Sequence, residues 1–139
     1  MNGRQDIAVR AVAGVHHLKL PVSDVVASRR WYVETLGFEH DLEFVEEGRL
    51  AGVSVRHPGC GLRIALREDR RRAQAMAGFG VLALAVVDDA GLDAVIAGFD
   101  ARGVTHSGRR HAREGWAVEV HDPDGMAMRL YSLERHADG

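Results

Sequence analysis

Two histidines and a lysine lie in one short alternating segment near the N-terminus, and their side chains could do chemistry. The segment is GVHHLKLPVSD, residues 14–24, and it contains the only lysine of the chain. An imidazole can bind a metal ion or exchange a proton near neutral pH. Alternation predicts a strand in which His17 and Lys19 share one face while His16 points to the other. His17 is therefore a candidate acid, base or ligand-binding group.

The remaining histidines and the single cysteine show no spacing typical of a metal or nucleophilic site. His40, His57, His106 and His111 are isolated in the sequence, and their roles stay open. Cys60 follows a Pro-Gly turn, and no second cysteine is present for an internal disulfide. We expect no catalytic thiol.

Composition predicts one soluble domain covering residues 1–139. The hydrophobic fraction of 46% and the charged fraction of 27% are ordinary for a globular protein. A net charge of −2 gives no electrostatic reason to expect a nucleic acid partner or an acidic membrane surface. No apolar run reaches the ~20 residues that cross a bilayer, and no secretory leader is visible. A cytoplasmic location is the expectation.

The two halves of the chain repeat one pattern of elements. HLKLPVSD (17–24) aligns with VLALAVVD (81–88), and GLRIAL (61–66) aligns with GMAMRL (125–130). Each half predicts a strand, a helix and three further strands, which is an α+β arrangement. Module 1 spans about 13–67 and module 2 about 79–133. Residues 68–78 are charged and small, which favours a surface linker between them.

The hydrophobic spacing predicts the individual elements. In module 1 the first strand is expected from Val15 to Val22, and a helix follows whose buried stripe is Val25, Ser28, Tyr32 and Leu36. The other predicted strands are Phe38–Val45, Arg49–His57, Leu62–Arg67, Gly80–Val87, Val104–Ser107, Trp116–His121 and Met126–Ser132. The second helix is expected to contain Leu92 and Phe99 and to end before Gly103.

This order of motifs resembles the vicinal oxygen chelate superfamily, which includes glyoxalases, bleomycin resistance proteins and extradiol dioxygenases. The motifs on which the resemblance rests are HLKLPVSD with RRWYVETLGFE, then GVLALAVVDD, and finally DPDGMAMRL. The resemblance implies two tandem βαβββ modules that form a cup-shaped, mostly antiparallel sheet with helices on the outer face. It also implies an assembly of two chains, so we expect a homodimer.

Metal-dependent members of that superfamily hold a divalent ion at four strand positions. The matching residues here are His17, Ala65, Val81 and Arg129. Only His17 is of a metal-binding type, and the Arg129 guanidinium would repel a cation. Zinc and similar ions need about three protein ligands. We therefore expect no metal and no other cofactor.

The residues predicted to share the free face of the sheets suggest a ligand site instead. Cationic side chains there suit an anionic or acceptor-bearing molecule, and small residues leave volume for it. Acids such as Glu119 could neutralise the arginines, and close contact between modules could fill the volume. The candidate ligand-binding residues are His17, Lys19, Arg63, Ala65, Val81, Ala83, Trp116 and Arg129.

Three functions fit this pattern. The favoured hypothesis is metal-independent binding of a small aromatic or anionic molecule, such as sequestration of an antibiotic. The alternative is a glyoxalase-like lyase or isomerase in which His17 is the acid or base and Arg129 or Lys19 stabilises an enolate. A third is an interaction module whose cup is filled by its own side chains. The sequence leaves open whether any reaction is catalysed.

Overall fold

Module 1 folds as a four-stranded sheet with one long helix packed on one face. The structure is a computed structural model that describes residues 9–134. The elements are β1 Leu18–Val22, α1 Val25–Leu36, β2 Glu39–Glu46, β3 Arg49–Arg56 and β4 Arg63–Glu68. The strand order is β1-β4-β3-β2, in which only β1 and β4 run parallel. Helix α1 packs against β3 and β4.

Module 2 repeats this topology, but the strand that follows its helix is only two residues long. Its elements are β5 Gly80–Val86, α3 Asp89–Ala101, β6 Arg110–His111, β7 Trp116–His121 and β8 Ala127–Ser132. The strand order is β5-β8-β7-β6, and only β5 and β8 run parallel. Helix α3 packs against β7 and β8. The predicted α+β fold of two βαβββ units is thereby confirmed.

Helix α1 forms where the sequence predicts it because both of its ends are capped. The Asp24 side chain accepts a hydrogen bond from the Ala27 N–H at 3.0 Å. Gly37 ends the helix at φ 78°, a left-handed conformation that glycine adopts without a steric cost. The predicted stripe is buried in full: Val25, Ser28, Tyr32 and Leu36.

The segment between the modules contains a short helix. Residues Arg70–Ala75 form a short helix, α2, whose N-cap Asp69 accepts from the Arg72 N–H at 3.1 Å. Ala73 is fully buried. The segment predicted as a surface linker over 68–78 thus contains a capped helical turn that is mostly exposed and makes one buried apolar contact with module 1.

The predicted strand at Val104–Ser107 was wrong. The strand partner of β7 is Arg110–His111, six residues later than the start expected. Residues before it are held by local bonds instead: His106 Nδ1 accepts from the Gly108 N–H at 2.9 Å, and His106 Nε2 lies 2.6 Å from Asp100 Oδ1. Such side-chain contacts compete with the backbone hydrogen bonds that a β-strand would make with its neighbour.

One hydrophobic core joins the helix faces of both sheets. The junction between modules is also polar, because the Tyr32 hydroxyl donates to Asp122 Oδ2 at 3.0 Å and the Ser23 N–H donates to Asp124 Oδ2 at 3.1 Å. No helix within residues 9–134 is long and apolar enough to cross a membrane.

Candidate functional site

The free face of module 2 carries a cavity of about 580 Å³. Its floor is formed by β7 and β8, and its wall by the segment 107–115, which contains β6. The lining residues are Ser107, Arg110, His111, Ala112, Arg113, Glu114, Ala117, Val118, Glu119, Arg129, Tyr131, Ser132 and Leu133. A volume of this size suits a drug-sized ligand.

A carboxylate and a guanidinium lie side by side on the floor. Glu119 on β7 is in register with Arg129 on β8, so both side chains leave the same face of the sheet. Arg129 Nε donates to Glu119 Oε1 at 2.8 Å. This hydrogen bond lowers the pKa of Glu119 and raises that of Arg129. The pair therefore stays ionised around neutral pH.

The wall is tied to helix α3 rather than left to solvent. Arg109 Nη1 lies 2.8 Å from Asp93 Oδ1, and its guanidinium sits 4.5 Å above the centre of the Trp116 ring. Ser107 accepts from the Glu119 N–H through Oγ at 2.9 Å. The segment is thus fixed at both the helix and the floor, which gives the cavity a defined wall.

Trp116 begins β7 where the sequence predicts, and it packs on the helix side of the sheet. Val118 and Val120 follow it at alternate positions and are buried in the core. Its ring contacts His111 at a centroid distance of 4.9 Å. Among the described residues that line the cavity, Trp116 does not appear. Trp116 therefore contacts the wall segment, through Arg109 and His111, without lining the cavity.

The corresponding face of module 1 contains Lys19, Arg63 and Ala65, and His17 lies directly before the start of β1. Lys19 is exposed and in register with Ala65 across the parallel β1–β4 pair. Arg63 Nε lies 2.7 Å from Asp41 Oδ2.

The acid beside Arg63 is itself held in place, and the neighbouring arginine is paired as well. Ser54 Oγ donates to Asp41 at 2.7 Å. Arg67 forms an ion pair with Glu46 at 2.5 Å. Both arginines therefore have acidic partners within module 1.

His16 does not turn away from His17 as alternation predicts. The two Nδ1 atoms lie 2.8 Å apart, and the rings meet edge to face. The expectation was wrong because β1 begins only at Leu18, so the strand period does not extend back to these residues. The contact brings two imidazole nitrogens together.

The remaining candidate ligand-binding residues, Val81, Ala83 and Arg129, lie on β5 and β8. Ala83 is in register with Arg129, and Val81, Ala83, Arg129 and Tyr131 line a second cavity of about 500 Å³. The structure thus divides the candidates between two sheets. Lys19, Arg63 and Ala65 belong to the first, which His17 directly precedes, and Val81, Ala83 and Arg129 belong to the second.

The donor set does not fit a metal of the vicinal oxygen chelate type. No group of three or more His, Cys, Asp or Glu side chains in residues 9–134 is placed to bind one ion. His16 and His17 supply two nitrogens, which is below the number that zinc sites use. Ala65 and Val81 have no donor atom.

Sequence reasoning missed several residues of the cavity. Glu119 was considered only as a neutralising acid, and Tyr131, Arg110 and Arg113 were not singled out. Period-2 alternation along β7 and β8 would have placed Glu119, Arg129 and Tyr131 on one face. No comparable signal exists for the wall, because its position depends on contacts with α3.

Comparisons with known proteins agree with this architecture. The family model for the Glyoxalase/Bleomycin resistance protein/Dioxygenase superfamily matches residues 14–130. The crystal structure of TnmS3, an antibiotic-binding protein from a Streptomyces species, is 26% identical with a TM-score of 0.71, over 88% of this chain and 97% of that one. Among curated proteins, none matches the sequence.

Two further solved structures share the fold. A member of the same superfamily from Sphaerobacter thermophilus is 25% identical with a TM-score of 0.69, covering 87% of this chain and 98% of its own. A lactoylglutathione lyase from Agrobacterium tumefaciens is 19% identical with a TM-score of 0.69, covering 88% and 95%. On the match over residues 14–130 and this shared fold, the chain belongs to the glyoxalase/bleomycin resistance protein/dioxygenase superfamily.

Proposed function

We propose that the protein binds a small organic molecule in the module 2 cavity without the help of a metal ion. The observation that carries the proposal is the cavity of about 580 Å³, whose floor and wall are held by specific contacts. Pockets that bind drug-sized ligands combine such a volume with a few placed polar groups.

The lining favours an aromatic ligand. Ala117 and Leu133 offer apolar surface, and the Tyr131 ring adds a flat one. On the floor, the polar groups of Glu119 and Arg129 can orient one end of the molecule. The specific form of the proposal is sequestration of an antibiotic, which the 26% identity to an antibiotic-binding protein supports.

A second copy of the chain would complete the site. β1 and β5 are outer strands of their sheets, and exposed strand edges favour pairing with another chain. Pairing β1 of one copy with β5 of the other would bring the exposed His17 and Lys19 beside the second cavity of the other copy, which shares Arg129 and Tyr131 with the first. We therefore propose a homodimer in which each cup combines both modules.

The alternative function is a lyase or isomerase that uses His17 as acid or base. One observation favours it: the contact between His16 Nδ1 and His17 Nδ1 leaves His17 Nε2 free to exchange a proton with a substrate. Formation of lactoylglutathione, lost in His17→Ala and retained in His40→Ala, would support this alternative. His40 is the control because it is an exposed strand histidine.

Binding is tested with chelator-treated protein and a panel of aromatic antibiotics in a calorimetric titration. Leu133 lines the cavity and is 66% exposed, so Leu133→Asp should keep the fold and weaken binding about tenfold. Val26→Asp is the matched control, because Val26 is also an exposed apolar residue, on α1 outside this cavity.

Two results would contradict the proposal. One is equal loss of affinity in both variants, which would place the ligand elsewhere. The other is elemental analysis that finds about one zinc, nickel, iron or manganese ion per chain, together with binding that disappears after chelation.

A further inference from the structure

The pair of Glu119 and Arg129 sets the charge at the floor of the cavity. The two side chains touch at 2.8 Å, and the Glu119 side chain is 19% exposed whereas that of Arg129 is 52% exposed. A positive charge at Arg129 alone would attract an anion. Glu119 cancels that charge at the point where a ligand would meet the sheet.

Both members of the pair keep hydrogen-bonding capacity for a ligand. Arg129 uses Nε for Glu119, its Nη1 lies 3.5 Å from the Tyr131 oxygen, and its side chain lines the cavity. Glu119 Oε2 lies 3.5 Å from His121 Nε2, and the nearby Arg110 charge also helps to lower the pKa of this carboxyl group. A guanidinium supplies donors and a carboxylate supplies acceptors. The floor thus presents a donor and an acceptor next to each other.

The other cations of the lining lie at the rim. Arg110 and Arg113 belong to the exposed segment that forms the wall. Water and salt screen such exposed charges strongly. Arg110 adds to the positive charge near Glu119, whereas Glu119 and Arg129 form the hydrogen-bonded pair on the floor strands, where a ligand would meet the sheet.

We infer that the cavity selects a planar, uncharged ligand end that carries a hydrogen-bond acceptor beside a donor, and that Glu119 is the residue that discriminates against anions. This inference rests on the proposed function and names its ligand class. An amide or a hydroxyl beside a carbonyl would donate to Glu119 and accept from Arg129. A carboxylate or sulfonate would gain from Arg129 but meet repulsion from Glu119.

The test uses two fluorescent probes that differ only by a sulfonate. They are the anion 1-anilinonaphthalene-8-sulfonate and its neutral parent N-phenyl-1-naphthylamine. The measured quantity is the ratio of their dissociation constants. In Glu119→Gln the ratio should shift about fivefold toward the anion, and in Arg129→Gln by a similar factor away from it, as expected for partly exposed charges.

Arg72→Gln is the control, because Arg72 forms an exposed ion pair with Asp69 on α2. It changes the net charge as Arg129→Gln does, and the ratio should stay constant. Thermal unfolding of each variant shows whether the fold is retained.

The outcomes separate the two claims. Suppose that the ratio is unchanged in both floor variants while Leu133→Asp still weakens the binding of both probes. That result overturns the role of Glu119 and leaves the binding function standing. Failure of both probes to bind the unmodified protein, or binding that Leu133→Asp does not affect, overturns the binding function and this inference with it.

Discussion

At the scale of single residues, Asp122 shows how a buried carboxylate can hold two modules together. Its side chain accepts from the Tyr32 hydroxyl and from the N–H groups of Asp124 and Met126, at 2.9–3.0 Å. Burial raises the pKa of Asp122 in spite of these bonds. The ionised form therefore depends on its donors.

We predict that Tyr32→Phe lowers the free energy of unfolding by about 1–3 kcal/mol at neutral pH, because the buried carboxylate loses one donor. The deficit should shrink as the pH falls through the raised pKa of Asp122, since the protonated acid needs that donor less. Urea unfolding at neutral and acidic pH measures both effects.

Tyr131→Phe is the matched control for that experiment. The Tyr131 oxygen lies 3.5 Å from Arg129 Nη1, at the limit of a hydrogen bond, and its ring is on the cavity side. Loss of the Tyr131 hydroxyl should therefore change the free energy of unfolding little at either pH. A Tyr32→Phe deficit that is as small as that of Tyr131→Phe would mean that the module junction does not depend on this bond.

At the scale of elements, the wall segment 107–115 depends on how closely it approaches β8. Gly108 and Gly115 both have positive φ, 74° and 77°. A Cβ at Gly108 would meet open space, whereas one at Gly115 would come within 2.5 Å of the Ser132 carbonyl oxygen and 2.6 Å of that of Glu134. Only Gly115 lacks room for a side chain.

We predict that Gly108→Ala costs about 1–2 kcal/mol, the strain of a left-handed alanine. Gly115→Ala should cost clearly more and should also weaken binding in the cavity, because the backbone clash pushes the wall away from β8. Chemical unfolding and probe titration of both variants measure these differences. Equal effects on binding would contradict a fixed wall.

At the scale of the whole molecule, the exposed edges of β1 and β5 determine the expected assembly. Lys19 on β1 and Ala83 on β5 are exposed in a single chain, as is His17 directly before β1. We predict a homodimer at micromolar concentration, because a second copy would cover both edges and complete a cup. Light scattering measures the mass in solution, and a mass of 15.2 kDa, that of one chain, would contradict the dimer.

The sequence by itself determined the repeated α+β topology and most of the helix and strand positions. These features depend on local patterns: alternation, the buried stripe of α1, the caps at Asp24 and Gly37, and the DPDG turn. Strand β7 begins and ends at the residues predicted, Trp116 and His121. Each module contains its own copy of the pattern, so the spacing of residues in the sequence is enough to predict the fold.

Only the tertiary structure decided the features that rest on contacts between distant residues. The pairing of Arg129 with Glu119 depends on the β7–β8 register, and the wall depends on Arg109 reaching Asp93 on α3. The approach of His16 to His17 depends on where β1 begins. Composition and periodicity describe which face a side chain takes. The partner it meets there is decided by register and packing, because these bring together residues that no local pattern relates.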